Sequence, residues 1–180
     1  HNIATGERAE YFEKNSNRSS GNGSWSEGGR AIYLNNGGLL ARFDIEKKSF
    51  TYQLKYKAPE QISASPDGKK LVFIERSRHG GSNDIDYWQL HMFDTGNKQS
   101  HTLGDTKDGK GAFGRFFWSP DSQRILVNLH YINSANKVLK SETRWFSLDF
   151  KPLEKPADSD LIYHPQHYPH VISIKHGRKE

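Results

Sequence analysis

At 180 residues and a net charge of +5, the chain is long enough for one domain with a real core, or for part of a larger one. It contains no cysteine, which excludes disulfides, thiolate nucleophiles and thiolate metal sites. No apolar run approaches the roughly 18 residues of a membrane helix, and Lys and Arg are scattered through turns instead of forming blocks, so neither a membrane span nor nucleic-acid binding is expected.

In chain order, residues 1–23 are weakly patterned. Tyr11 and Phe12 are the bulky apolar pair, and Asn15 to Gly23 reads as a loop or mobile segment. A first unit, 24–58, starts at Trp25-Ser26 and runs into the apolar stretch Ala31-Ile32-Tyr33-Leu34. Asn35-Asn36-Gly37-Gly38 is a hairpin turn, followed by strands at Leu39 to Ile45 and Phe50 to Leu54.

The second unit, 60–104, contains Ile62-Ser63-Ala64-Ser65-Pro66-Asp67-Gly68-Lys69-Lys70-Leu71-Val72-Phe73-Ile74. Pro66 presets φ for a turn, Asp67 can bond its own backbone, Gly68 tolerates positive φ, and Leu71 to Ile74 is a short β-forming run. Arg76 to Asp84 reads as a polar loop. Tyr87 to Phe93 alternates as a third strand, Asp94-Thr95-Gly96-Asn97 turns, and Gln99 to Leu103 is a short fourth strand.

The third unit, 111–153, repeats the phrase as Phe117-Trp118-Ser119-Pro120-Asp121-Ser122-Gln123-Arg124-Ile125-Leu126-Val127, with Asp67 and Asp121 54 residues apart. Strands are expected over Ile125 to Tyr131 and Thr143 to Asp149, with a loop from Tyr131 to Lys140 and Trp145 near the place of Trp88. Lys151 to Asp160 looks irregular. A fourth, incomplete unit at 158–180 has apolar runs at Leu161-Ile162-Tyr163 and Val171 to Ile174. From Ser26 to Ser65, Ser119 and His164 the steps are 39, 54 and 45 residues, a blade-like period.

The phrase Ser65-Pro66-Asp67-Gly68, followed by Lys69-Lys70 and an apolar strand, resembles the blade signature of TolB-like β-propeller repeats, relatives of the WD repeats. The resemblance implies an all-β array of antiparallel four-stranded blades, a partial or small propeller, in which the strand around Tyr11 could complete the last sheet. It also implies a face that docks a protein or peptide, commonly outside the bacterial cytoplasm, so a periplasmic or secreted place is expected. A mature chain there would have lost its signal peptide.

Chemistry-bearing patterns are sparse. Ser24-Trp25-Ser26-Glu27-Gly28-Gly29 resembles the nucleophile elbow of prolyl-oligopeptidase-type hydrolases, but Ser24 replaces the first glycine and no helix is expected to follow. His164, His167 and His170 could gather around a metal from a loop, although Pro165 and Pro169 argue against a helix. Asp84, Asp86, Asp105, Thr106 and Asp108 read as turn formers, since Asp105 to Gly109 lacks the ligand count of a calcium loop. No catalytic residue, metal site or cofactor is assigned.

The expected function is therefore a non-catalytic protein- or peptide-binding module. The alternatives are the accessory propeller of a larger peptidase and a His-based metal binder. Loops at blade rims carry recognition, and the expected contact residues are Arg76, Arg78, His79, Tyr131 and Lys137, together with Trp25 and Arg30. Trp88, Trp118 and Trp145 are expected in the core.

Overall fold

In a computed structural model that describes residues 10–11, 23–54, 59–77, 87–106, 111–132, 137–155 and 173–174, three four-stranded antiparallel meanders follow one another. A two-residue strand, β1 (Glu10–Tyr11), precedes them. Blade 1 comprises β2 (Ser24–Ser26), β3 (Ala31–Asn36), β4 (Leu39–Asp44) and β5 (Ser49–Leu54), with a 3₁₀ turn at Glu27–Gly29. Blade 2 comprises β6 (Glu60–Ala64), β7 (Lys70–Ser77), β8 (Tyr87–Asp94) and β9 (Ser100–Asp105). Blade 3 comprises β10 (Gly111–Trp118), β11 (Arg124–Ile132), β12 (Val138–Ser147) and β13 (Pro152–Leu153). β14 (Ser173–Ile174) pairs parallel with β1, so the strand at Tyr11 meets residues of the expected fourth unit. The remaining residues of that unit, and the segment before Gly23 apart from β1, lie outside the described residues.

The repeated phrase folds as its chemistry requires. The Ser65 hydroxyl donates to the Asp67 carboxylate at 2.6 Å, and that carboxylate accepts from Lys69 N while Ser65 Oγ accepts from Lys70 N. Ser119 and Asp121 repeat this with Gln123 N and Arg124 N. Ser147 and Asp149 form a third copy with Lys151 N. The position after the aspartate is left-handed where φ is 71° at Gly68, 62° at Ser122 and 59° at Phe150. These bonds to ionised carboxylates hold Asp67, Asp121 and Asp149 below the ordinary value of 3.8; Asp149, beside Lys151 and Ser147, falls to about 2. Blade 1 has Gly28 where the aspartate should be, and Ser26 Oγ is buried there with no hydrogen-bond partner among the described residues.

Alternation along the strands buries both faces of the middle sheet. Tyr33 and Leu40 of blade 1 pack on Ile62, Ala64, Leu71, Phe73 and Phe93 of blade 2. On its other face Val72, Ile74, Leu90 and Met92 meet Phe113, Phe116, Trp118, Ile125, Val127 and Phe146 of blade 3. The first strands lie side by side, β2 on β6 and β6 on β10, which puts them innermost. Polar bonds join the blades as well. Ala64 N donates to Ser24 Oγ at 2.8 Å, Trp118 Nε1 donates to Ser63 O at 3.2 Å, and Asp67 N donates to Ser122 Oγ at 3.1 Å.

Register confirms the likeness of Trp25 to Trp118: Trp25 opposes Ile32 as Trp118 opposes Ile125. It corrects the pairing of Trp145 with Trp88. Phe146 opposes Ile125 as Phe93 opposes Leu71, so Trp145 stands at the place of Met92. Trp118 and Trp145 are buried and Trp88 half-buried against the core between blades 2 and 3. Two strand limits also change. β12 begins at Val138 because its pairing with β11 continues to Ile132, and Pro152–Leu153 forms an outer strand where irregular chain was expected.

The face between blades 1 and 2 holds a buried titratable group. His91 stacks on Phe73 with ring centroids 5.3 Å apart, and its Nδ1 is 3.4 Å from Thr102 Oγ1. Glu75 Oε2 stands 3.3 Å from Nε2, but off the line of a hydrogen bond. Burial, helped by the positive field of His101, outweighs that carboxylate and pushes the ring from 6.5 down to about 4. The unfolded chain then takes up a proton near pH 6.5 that the folded chain refuses until about pH 4. Stability is therefore full above pH 6.5 and should fall as pH drops toward 4, with the turn aspartates adding a further loss below their ordinary value. Urea midpoints measured across this range should show the slope, and His91→Gln should flatten its upper part. An equal slope in both proteins would overturn the assignment.

Candidate functional site

The meander sends alternate connections to opposite ends of each blade. One end carries Glu27 to Arg30, the turns after Ser65 and Ser119, and the Asp94 to Lys98 turn; Thr95 N bonds Lys69 O, and Ile45 N bonds Arg30 O there. The other end carries the Gly37-Gly38 turn and the ends of β7, β8, β11 and β12. The expected contact residues therefore separate. Arg30 lies at the first end, and Trp25, one residue from it along β2, packs half-buried against Ile32, Leu34, Phe43, Ile45 and Phe50. Arg76, Tyr131 and Lys137 lie at the second. Arg76 is on β7 opposite Trp88, not in a loop, and Tyr131 is on β11 opposite Lys140. Arg78 and His79 lie outside the described residues.

At that second end the β11–β12 hairpin exposes a mixed surface. Val138 is 50% exposed, Leu139 67% and Tyr131 39%, the largest apolar exposures of blade 3 among the described residues. Tyr131 Oη donates to Glu142 at 3.3 Å, Lys140 Nζ approaches the same carboxylate at 3.5 Å, and Arg144 pairs with it. Lys140 also sits 5.5 Å above the Tyr131 ring. The Arg144 guanidinium, with Lys140 and Tyr131 behind it, lowers the Glu142 carboxyl below its ordinary value. Reading 131–140 as one loop hid Lys140, Glu142 and Arg144; their period-two spacing is the signal of a strand face.

Blade 3's face away from blade 2 is different. A recess of about 300 Å³ is lined by Leu126, Thr143, Arg144, Trp145, Leu153 and Lys155. The Arg124 guanidinium lies 5.8 Å over the Trp145 ring and is tied to Asp121 at 3.0 Å. Beside it Asn128 Nδ2 donates to Thr143 Oγ1, and His130 Nδ1 is 2.8 Å from Ser141 Oγ. A Cβ at Gly114 would stand 2.6 Å from His130 Nε2 and 2.8 Å from Asn128 Oδ1, so glycine is what lets these two side chains cross β10.

The other candidates have structural employment. Ser24 Oγ is engaged by Ala64 N, and Thr106 Oγ1 accepts from Trp88 N at 2.9 Å. Among the described residues no group of three or more His, Asp or Glu could hold a metal. His164, His167 and His170 lie outside them, as do Asp84, Asp86 and Asp108. No helix among the described residues is long and apolar enough to cross a membrane.

No protein-family model matches the chain, and no curated protein matches it in sequence. Solved structures do. The tricorn protease is similar over 76% of this chain and 14% of its own, at 11% identity and a TM-score of 0.57. TolB from Acinetobacter baumannii is similar over 74% and 36%, at 18% identity and a TM-score of 0.48. The β-propeller domain of the trilobed protease from Pyrococcus furiosus is similar over 74% and 44%, at 11% identity and 0.47. The chain thus spans less than half the length of each. At 11% identity the likeness to the tricorn protease speaks to fold alone.

Proposed function

We propose that this chain, whose blades resemble TolB-like propeller repeats, is a non-catalytic module that binds a protein or peptide through the loop-bearing end of its blades, outside the cytoplasm. One observation carries the reading. Sheets locked face to face by apolar cores and interblade bonds present an end where Tyr131, Val138 and Leu139 are exposed beside Lys137 and Lys140. Aromatic and cationic groups on a rigid scaffold suit macromolecular recognition. Arg76 reaches the same end on β7, and Arg78 and His79 follow it in sequence. Trp25 and Arg30 belong to the opposite end and serve blade 1. A second reading, the accessory propeller of a larger peptidase, draws on the likeness to 14% of the tricorn protease chain.

Immobilised protein should retain one stoichiometric partner from a lysate of intact cells. Replacing Arg76, Arg78 and His79 with alanine, or Tyr131 and Lys137, should weaken that binding by about tenfold or more while the melting temperature shifts by only a few degrees. Unchanged binding in both variants would reduce these segments to connectors.

A further inference from the structure

Among the described residues, the outer edge of β12 is covered only at its C-terminal end. In blade 1, β5 covers β4 from Leu40 to Asp44; in blade 2, β9 covers β8 from Gln89 to Phe93, and Thr106 extends the cover to Trp88. In blade 3, β13 pairs with Trp145 and Phe146 alone. From Val138 to Arg144 the inner side of β12 is bonded along β11, but no described strand bonds its outer side. Alternate residues of this seven-residue stretch therefore direct backbone donors and acceptors to a side that no described strand covers, the arrangement that extended peptides complete.

From this we propose that the Val138–Arg144 edge of β12 accepts an extended acidic peptide as an added strand. Charge selects the partner. Lys140 and Arg144 lie two positions on either side of Glu142 on one face, and Lys137 precedes the strand, leaving a cationic excess along the edge. Glu142 already shares Lys140, Arg144 and Tyr131, so it is screened from an incoming carboxylate. Acidic residues spaced four apart on the added strand would stand beside Lys140 and Arg144, and opposite charges across neighbouring strands are favourable. The other face of β12 offers Ser141 and Thr143, whose hydroxyls suit small polar side chains. The same charges discourage uncharged or cationic strands from pairing there. The inference rests on the chain being a binding module; it shares Val138 and Lys140 with the end named above but needs none of Arg76, Arg78 and His79.

The probe is a labelled synthetic peptide alternating glutamate with threonine, titrated by fluorescence anisotropy. Two further versions carry N-methyl groups on alternate residues, in one phase or the other, and a fourth has lysine in place of glutamate. The glutamate peptide should bind, and the lysine peptide should not. One methylated version should fail and the other bind, because only alternate amides of an added strand face β12. Lys140→Gln with Arg144→Gln should weaken binding about tenfold, and the β12 amides should gain hydrogen-exchange protection only with peptide present. Equal binding by both methylated versions would show charge attraction without strand addition. Protection of β12 equal to that of β8 in the peptide-free protein would show that a second copy, or another part of this chain, holds the edge. Either result overturns the proposal. Retained peptide binding in the Arg76, Arg78 and His79 variant separates this site from the loop-borne one.

Discussion

Replacing Trp118 with alanine should destabilise the protein by about 3–5 kcal/mol, the range for large buried aromatics. Its side chain is fully buried between blades 2 and 3, among Val72, Met92, Phe116 and Ile125. Because two sheets packed face to face leave few alternatives for repacking, the space left behind stays open, and the cavity adds to the lost transfer energy. A second loss is polar. Trp118 Nε1 donates to Ser63 O across the blade boundary, and truncation leaves that carbonyl without this donor. Trp118→Phe separates the two, since it keeps most of the ring and removes only the donor. It should cost about 1–3 kcal/mol. Urea unfolding of the three proteins provides the numbers. A cost under about 1 kcal/mol for the alanine variant would mean that blade 3 does not depend on this contact with blade 2.

Gly68→Val should cost about 1–3 kcal/mol, for a reason local to the backbone. Gly68 has φ 71°, a left-handed conformation that a β-branched side chain resists. The residue cannot relax toward negative φ without breaking bonds on both sides. Its N donates to Ser65 O at 2.9 Å, and its carbonyl accepts from Thr95 Oγ1 at 3.0 Å. Ser122 occupies the matching place in blade 3 at φ 62°, and its strain is offset because Ser122 Oγ accepts from Asp67 N of the neighbouring turn. Ser122→Gly should therefore be close to neutral, relieving one term while removing the other. Thermal melts of equal midpoint for wild type and Gly68→Val would show that the turn tolerates a side chain.

Much of the blade order was legible because its signals are local. Pro66, Asp67 and Gly68 dictate a turn through φ restriction and a carboxylate that bonds backbone two residues on, and Ser119 to Ser122 repeats it. The third copy at Ser147 to Lys151 is not legible in the sequence because it lacks proline and glycine; Phe150 takes the left-handed position instead, at φ 59°. Trp145 was matched to Trp88 by proximity along the chain, whereas cross-strand register aligns it with Met92. The contact surface was the least legible part. Arg30 and Tyr131 both sit near turns, and nothing in composition says that a meander sends those turns to opposite ends.

By itself the sequence determined the all-β class, the strand-turn-strand phrase and the near-absence of helix, since alternation, turn residues and β-formers act over a few neighbours. Tertiary structure decided which blades share a core, that Asp67 of one turn bonds Ser122 of the next, and that β12 outruns β13 among the described residues. Those features depend on how far two strands stay paired and on which faces meet. Both are set by contacts between residues distant in the chain, and no local pattern encodes them.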